Sequence, residues 1–193
     1  MNLPNKLTVF RILIIPLFIG IVVFPVNGAN YMIAGSSISL QLFLAAFLFS
    51  IASITDWLDG KIARKQGIVT NFGKFADPLA DKMLVMTAFI LLVELELAPA
   101  WVVALIVCRE LAVTGLRLLL VEQGGMVLAA AWPGKIKTAT QMLAIVLLFL
   151  NNFPFNAIGI PMAQILLYIC LFFTLYSGID YFYKNRKVFA DSF

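Results

Sequence analysis

Long apolar runs, each closed by a short polar or turn-rich piece, dominate the chain. They fall at residues 7–25, 38–56, 79–97, 99–121, 136–152 and 159–183, most of them close to the roughly 20 residues a helix needs to cross a hydrocarbon core. Between them lie stretches such as PVNGANYMIAGSS and NNFPFNAIGIP, whose Pro, Gly and Asn interrupt a helix, and Pro99 stands where a helix can restart after a turn. The pattern predicts an all-α bundle of six membrane-spanning helices, with a single domain over residues 1–193. The first run carries Pro4 and Pro16, lacks a small-residue cleavage site and is followed by five more, so it reads as a retained span and not a leader.

Composition strengthens this reading. Hydrophobic residues make up 62% of the chain and charged ones 12%, and the mean hydropathy of +0.99 excludes an ordinary soluble domain. Cys108 and Cys170 each sit inside an apolar run and read as small core residues, with neither disulfide nor metal spacing. Histidine is absent, so any proton transfer falls to other groups.

Charge supplies the orientation. Lys6 and Arg11 lie at the start; Lys61, Arg64, Lys65, Lys74 and Lys82 follow the second run; Arg117, Lys135 and Lys137 flank the connection after the fourth; Lys184, Arg186 and Lys187 end the chain. The opposite connections hold no Lys or Arg and only Glu94 and Glu96 as charges. Cations gather at cytoplasmic ends of spans, which predicts a multi-pass protein of the cell membrane with both termini and the polar cluster facing the cytoplasm. The net charge of +4 then serves anionic headgroups among the membrane lipids, and no nucleic-acid motif accompanies it.

The polar cluster is TDWLDGKIARKQGIVTNFGKFADPLADK, residues 55–82. On a helix Asp56, Asp59, Gly60 and Ala63 share a stripe, being spaced i, i+3, i+4 and i+7, and the small residues let a ligand or a second helix approach. Gly73, Asp77 and Asp81 form a second stripe at intervals of four, with Pro78 tolerated if it lies in a first helical turn. Converging carboxylates repel unless a cation sits between them. An all-oxygen set without His or Cys favours Mg²⁺ or Mn²⁺, and four aspartates suffice for two ions, the arrangement that clamps a phosphoryl-type displacement. The plainer reading is a solvated loop in which these acids pair with Lys61, Arg64, Lys65 and Lys74, but that gives no reason for the helical spacing.

The spacing Asp56-x2-Asp59-Gly60-x2-Ala63-Arg64-x8-Gly73-x3-Asp77-x3-Asp81 resembles, without a gap or substitution, the signature of the CDP-alcohol phosphatidyltransferases. The resemblance implies a six-helix membrane enzyme, usually a homodimer, that moves a phosphatidyl group from a CDP-lipid to an alcohol and releases CMP. It implies that Asp56, Asp59 and Asp77 bind metal, that Asp81 also sits at the metals and acts as the base, and that Gly60 and Arg64 contact the CDP moiety. Gly73 and, from NLPNKLTVFR, Pro4, Asn5, Thr8 and Arg11 are further expected CDP-lipid contacts; Thr8 and Arg11 are spaced i, i+3. Simple interfacial anchoring is the alternative for Lys6 and Arg11.

The motif does not choose the alcohol. Arg109 stands about ten residues into an apolar run, where an unpaired charge is costly and therefore a functional suspect. Glu110 is its neighbour in sequence but points elsewhere on a helix, so it is not expected to be the partner. Arg117, Lys135 and Lys137 add three further cations, which together suit an acceptor carrying phosphate. Lys135, directly after Gly134, is the leading candidate, then Arg117 and Lys137, with Arg109 last because it could instead brace the aspartates. The stretches NLPNKLTVFRILIIPLFI, CRELAVTGLR and GKIKTATQM are similar to those of family members that pair CDP-diacylglycerol with sn-glycerol 3-phosphate. Members using inositol phosphate are the rival, and an ion-coupled transporter is the remote alternative from another class.

Overall fold

The structure, a computed structural model, describes the backbone of residues 3–24, 30–33, 36–66, 71–122 and 132–186, and side chains at 8–24, 32, 36–55, 79–80, 82–120 and 132–186. Six α-helices appear among these residues: α1 (Leu3–Val23), α2 (Leu40–Gln66), α3 (Asn71–Glu94), α4 (Ala100–Glu122), α5 (Trp132–Phe149) and α6 (Met162–Lys184). Each coincides with one expected apolar run. Two of them reach well beyond it, because α2 continues ten residues past 56 and α3 begins eight before 79. Lys61, Arg64, Lys65 and Lys74 lower hydropathy there while remaining good helix formers, so an apolar window underestimates the helix. The described residues of the polar cluster are therefore helical.

This extension corrects the expected place of Pro78. It is the eighth residue of α3 and not in its first turn, so the helix forgoes one backbone hydrogen bond to the residue four before it.

One element was not expected. Asn30–Ile33 (β1) and Ser36–Ser39 (β2) pair antiparallel, Asn30 opposite Ser39 and Ile33 opposite Ser36. The hairpin is fastened to the α5–α6 connection, where Asn156 donates to Ser36 Oγ at 2.9 Å and Asn151 to the Ser37 carbonyl at 3.2 Å. Within that connection Asn152 donates to the Ile160 carbonyl at 2.8 Å and accepts from the Ala163 amide at 2.9 Å, the second of which satisfies the start of α6.

All six helices feed one apolar core. Phe18 of α1 meets Phe49 of α2 at 6.3 Å and Phe149 of α5 edge-on at 5.6 Å, while Ala45, Ala46 and Ala52 keep the α2 surface low enough for close packing. α1 packs on α2 and α3, α5 on α6, and α4 on α6. The outward faces are apolar as well: Leu13, Phe47, Ile90, Trp101, Leu118, Leu143, Phe172 and Ile179 are all exposed, an extent of apolar surface that marks a face meeting lipid or another protein. Cys170 is buried as expected, whereas Cys108 is exposed on the outer side of α4. Among the described residues one helix, Met162–Lys184, is long and apolar enough by itself to cross a membrane, and Thr8–Val23 and Leu40–Thr55 are shorter apolar helical stretches. α4 misses that standard because Arg109, Glu110 and Arg117 interrupt it.

Candidate functional site

A partly buried carboxylate organises the polar interior of the bundle. Glu110, halfway along α4, has three cations around it, each from a different sequence region. Arg109 Nη1 lies 3.0 Å from its Oε1, Lys137 of α5 donates to the same oxygen, and Lys82 of α3 stands 3.6 Å from Oε2. Lys82 also donates to the Glu110 carbonyl at 3.4 Å and to the hydroxyl of Thr114, which itself donates to that carbonyl at 2.6 Å. Side chains of Lys82, Glu110, Lys137, Thr138 and Gln141, with Met86 and other apolar neighbours, line a cavity of about 40 Å³. That volume admits a small polar group or a few waters.

α6 completes the arrangement from the far side of α4. Arg109 Nη2 donates to Ser177 Oγ at 2.9 Å, and Gly178 makes room for the arginine stem. One turn on, the Arg117 guanidinium lies over the Tyr181 ring, 5.4 Å from its centroid. The buried Tyr181 hydroxyl has no hydrogen-bond partner among the described residues.

Of the expected acceptor-phosphate residues, the structure thus joins Arg109 and Lys137 through Glu110, and Arg117 lies near enough to act electrostatically on Lys82. It does not join Lys135. Helix α5 begins at Trp132, before both lysines, so the two emerge on different sides: Lys137 is buried at 7% exposure, while Lys135 is exposed and rests on the Trp132 ring at 5.1 Å. The expectation that Glu110 is no partner of Arg109 is also corrected. Adjacent side chains diverge at their Cβ atoms, but a guanidinium on a long stem folds back to a carboxylate when both heads are kept from solvent. Arg109 braces Glu110 and Ser177.

On α1, Thr8 and Arg11 are both buried at 1% exposure, so Arg11 is more than a headgroup anchor at an interface. The side chains of Pro4, Asn5, Asp56, Asp59, Gly60, Arg64, Gly73, Asp77 and Asp81 lie outside the described residues. Their backbones place Asp56, Asp59, Gly60 and Arg64 in the second half of α2, and Gly73, Asp77 and Asp81 in the first half of α3; the two helices touch. Among the described residues no group of three or more metal-binding side chains occurs.

Sequence reasoning passed over Glu110, Lys82, Ser177 and Tyr181. Glu110 was within reach: the cost of charge in an apolar run applies to it as much as to Arg109.

A family model of the CDP-alcohol phosphatidyltransferases matches residues 1–176. The chain belongs to the CDP-alcohol phosphatidyltransferase family. Similarity to individual members runs the whole length. A CDP-diacylglycerol–glycerol-3-phosphate 3-phosphatidyltransferase of Bacillus subtilis (strain 168) is 50% identical over 191 residues, 99% of this chain and 98% of that one. Proteins of the same description from Rickettsia felis and Haemophilus influenzae are 39% identical over 191 residues and 37% over 197, covering 97% and 99% of this chain and 97% of each of those. CDP-alcohol phosphatidyltransferases are membrane enzymes that generally depend on a divalent metal, and phosphatidyl transfer is the chemistry they share.

Proposed function

We propose that the chain transfers the phosphatidyl group of CDP-diacylglycerol to sn-glycerol 3-phosphate, giving phosphatidylglycerophosphate and CMP. Membership of the family and the description shared by its relatives support the reaction. One structural observation carries the choice of a phosphorylated acceptor. Lys82 directly follows the motif's last aspartate, and its ammonium meets the Glu110 cluster, so a cation-rich pocket adjoins the motif.

Asp56, Asp59, Asp77 and Asp81, an all-carboxylate set on two touching helices, fit hard divalent ions, and we assign them to two Mg²⁺ or Mn²⁺. When bound, the ions neutralise the pyrophosphate and the CMP that leaves. Arg64 supplies planar donors to a phosphate, with Gly60 and Gly73 keeping the helix surfaces low, and Pro4, Asn5, Thr8 and Arg11 close the nucleotide side. Asp81 takes the proton of the acceptor's 1-hydroxyl as that oxygen bonds to the phosphorus bearing diacylglycerol and the bond to CMP breaks; no histidine competes for the role. The acceptor's own phosphate is held by cations of the Glu110 cluster. The apolar outward faces support six spans in one domain, the distribution of Lys and Arg supports cytoplasmic termini and site, and the family supports a homodimer.

Purified protein in detergent with CDP-diacylglycerol, glycerol 3-phosphate and Mg²⁺ is expected to release CMP. Parallel reactions with inositol phosphate, serine and phosphatidylglycerol test the acceptor. Release with inositol phosphate but not glycerol 3-phosphate would move the assignment to that rival, and no release with any alcohol would end it.

A further inference from the structure

We propose that Glu110 is a positioning residue for the acceptor: its carboxylate gathers Lys82, Arg109 and Lys137 from three helices and sets the charge of the pocket that takes the phosphate. The inference rests on the reading that the acceptor is a phosphorylated alcohol.

Three cations converging in the interior of an apolar bundle repel one another strongly, because little solvent screens them. A single anion between them makes the arrangement tenable, and Glu110 uses all it has. Oε1 receives Arg109 and Lys137, Oε2 faces Lys82, and the backbone carbonyl takes a further bond from Lys82. Both lysines also line the 40 Å³ cavity, so the carboxylate holds their ammonium groups at its wall.

The balance of charge points to what the pocket accepts. At their ordinary charges, three cations and one carboxylate leave two positive charges uncompensated. A phosphomonoester carries about −1.5 to −2 at neutral pH and closes that gap. A phosphodiester, with a single negative charge, leaves one cation unmatched, and a neutral alcohol leaves two, at the cost of buried unpaired charge. Glu110 thereby acts on acceptor choice through the cations, without having to touch the acceptor.

The test compares Glu110→Gln, Glu110→Asp, Lys137→Gln and the Glu110→Gln/Lys137→Gln pair in detergent, varying glycerol 3-phosphate and CDP-diacylglycerol in turn. Glu110→Gln is expected to raise the KM for glycerol 3-phosphate tenfold or more while that for CDP-diacylglycerol stays within about twofold, and to weaken competition by inorganic phosphate in parallel. Glu110→Asp, which keeps the charge and shortens its reach, should raise the first KM only about threefold. The pair should be no worse than the worse single variant, since both remove one arrangement. An unchanged KM for glycerol 3-phosphate in Glu110→Gln and Glu110→Asp, equal rises in both KM values, or additive effects in the pair would each overturn the proposal. Where Glu110→Gln does not survive extraction, Glu110→Asp decides by the same selective rise. If the unaltered protein prefers another phosphorylated alcohol, the identification of the acceptor falls, and the same comparison with that alcohol still decides the role of Glu110.

Discussion

Gly178 and Arg109 fit together as a groove and the stem lying in it: a Cβ placed on Gly178 would meet Arg109 Cγ at 2.9 Å and Nε at 3.2 Å. The absent side chain lets α6 pass close to α4 while the guanidinium spans from Ser177 to Glu110. Gly178→Ala gains helix propensity, about 1 kcal/mol on its own. It also displaces the stem near its root, where the arginine has least freedom to give way, and so breaks charged hydrogen bonds worth about 1.5–3 kcal/mol each. The expected net outcome is a lower melting temperature in detergent and a raised KM for glycerol 3-phosphate. An unchanged melting temperature with unchanged KM would show that Arg109 tolerates the shift.

Tyr181 separates two contributions that usually travel together. Its ring supports Arg117, but its buried hydroxyl has no partner among the described residues. Removing an unsatisfied buried polar group costs nothing and can stabilise. Tyr181→Phe should therefore keep or slightly raise the melting temperature, whereas Tyr181→Leu, which loses the ring face, should cost about 0.5–2 kcal/mol. If Tyr181→Phe instead raises the KM for glycerol 3-phosphate with the fold intact, the hydroxyl binds substrate.

The helices were legible because a packed inner face and an apolar outer face together write themselves as a nearly continuous apolar sequence, as in Thr8–Val23 and Met162–Lys184. Their polar ends were not, since Asn71–Lys74 and Lys61–Gln66 are helical yet hydrophilic. The hairpin escaped notice for another reason: two four-residue strands, NYMI and SSIS, are too short for an alternating pattern to stand out among turn residues. In the candidate site, the types of residue were readable and the pairings were not. Arg109 was marked by its burial cost, but its partner Ser177 follows from helix packing, which no local spacing encodes, and its pairing with Glu110 from a long stem folding back on its own neighbour. The separation of Lys135 from Lys137 turned on where α5 begins, a boundary the Pro133-Gly134 pair obscures in sequence.

The aspartates of α2 and α3 carry the reaction in the proposed function, and a neutral amide cannot replace a charged metal ligand. Asp56→Asn, Asp59→Asn and Asp77→Asn should each abolish CMP release while the protein remains monodisperse in detergent. Asp81→Asn should lose turnover and yet retain more binding of CDP-diacylglycerol than the other three, because its main task is the acceptor's proton. Equal loss of binding in all four would leave Asp81 as a metal ligand alone, and near-normal turnover in any one would remove that residue from the site.

Lys135 and Lys137 provide the sharpest comparison, being two residues apart with the same chemistry and opposite surroundings. Lys137 is buried against Glu110 and lines the cavity, whereas Lys135 rests in the open on Trp132. A charge-assisted hydrogen bond to a bound phosphate is worth about 1.5–3 kcal/mol, or roughly a tenfold to hundredfold change in affinity. An exposed cation–π contact is worth about 0.5–1 kcal/mol, and its loss does not reach the cavity. Lys137→Gln should accordingly raise the KM for glycerol 3-phosphate at least tenfold and leave that for CDP-diacylglycerol within about twofold. Lys135→Gln should change either by less than about threefold. The reverse order would mean that the phosphate enters from the Trp132 side of α5, and that the cluster around Glu110 holds the helices together without holding the acceptor.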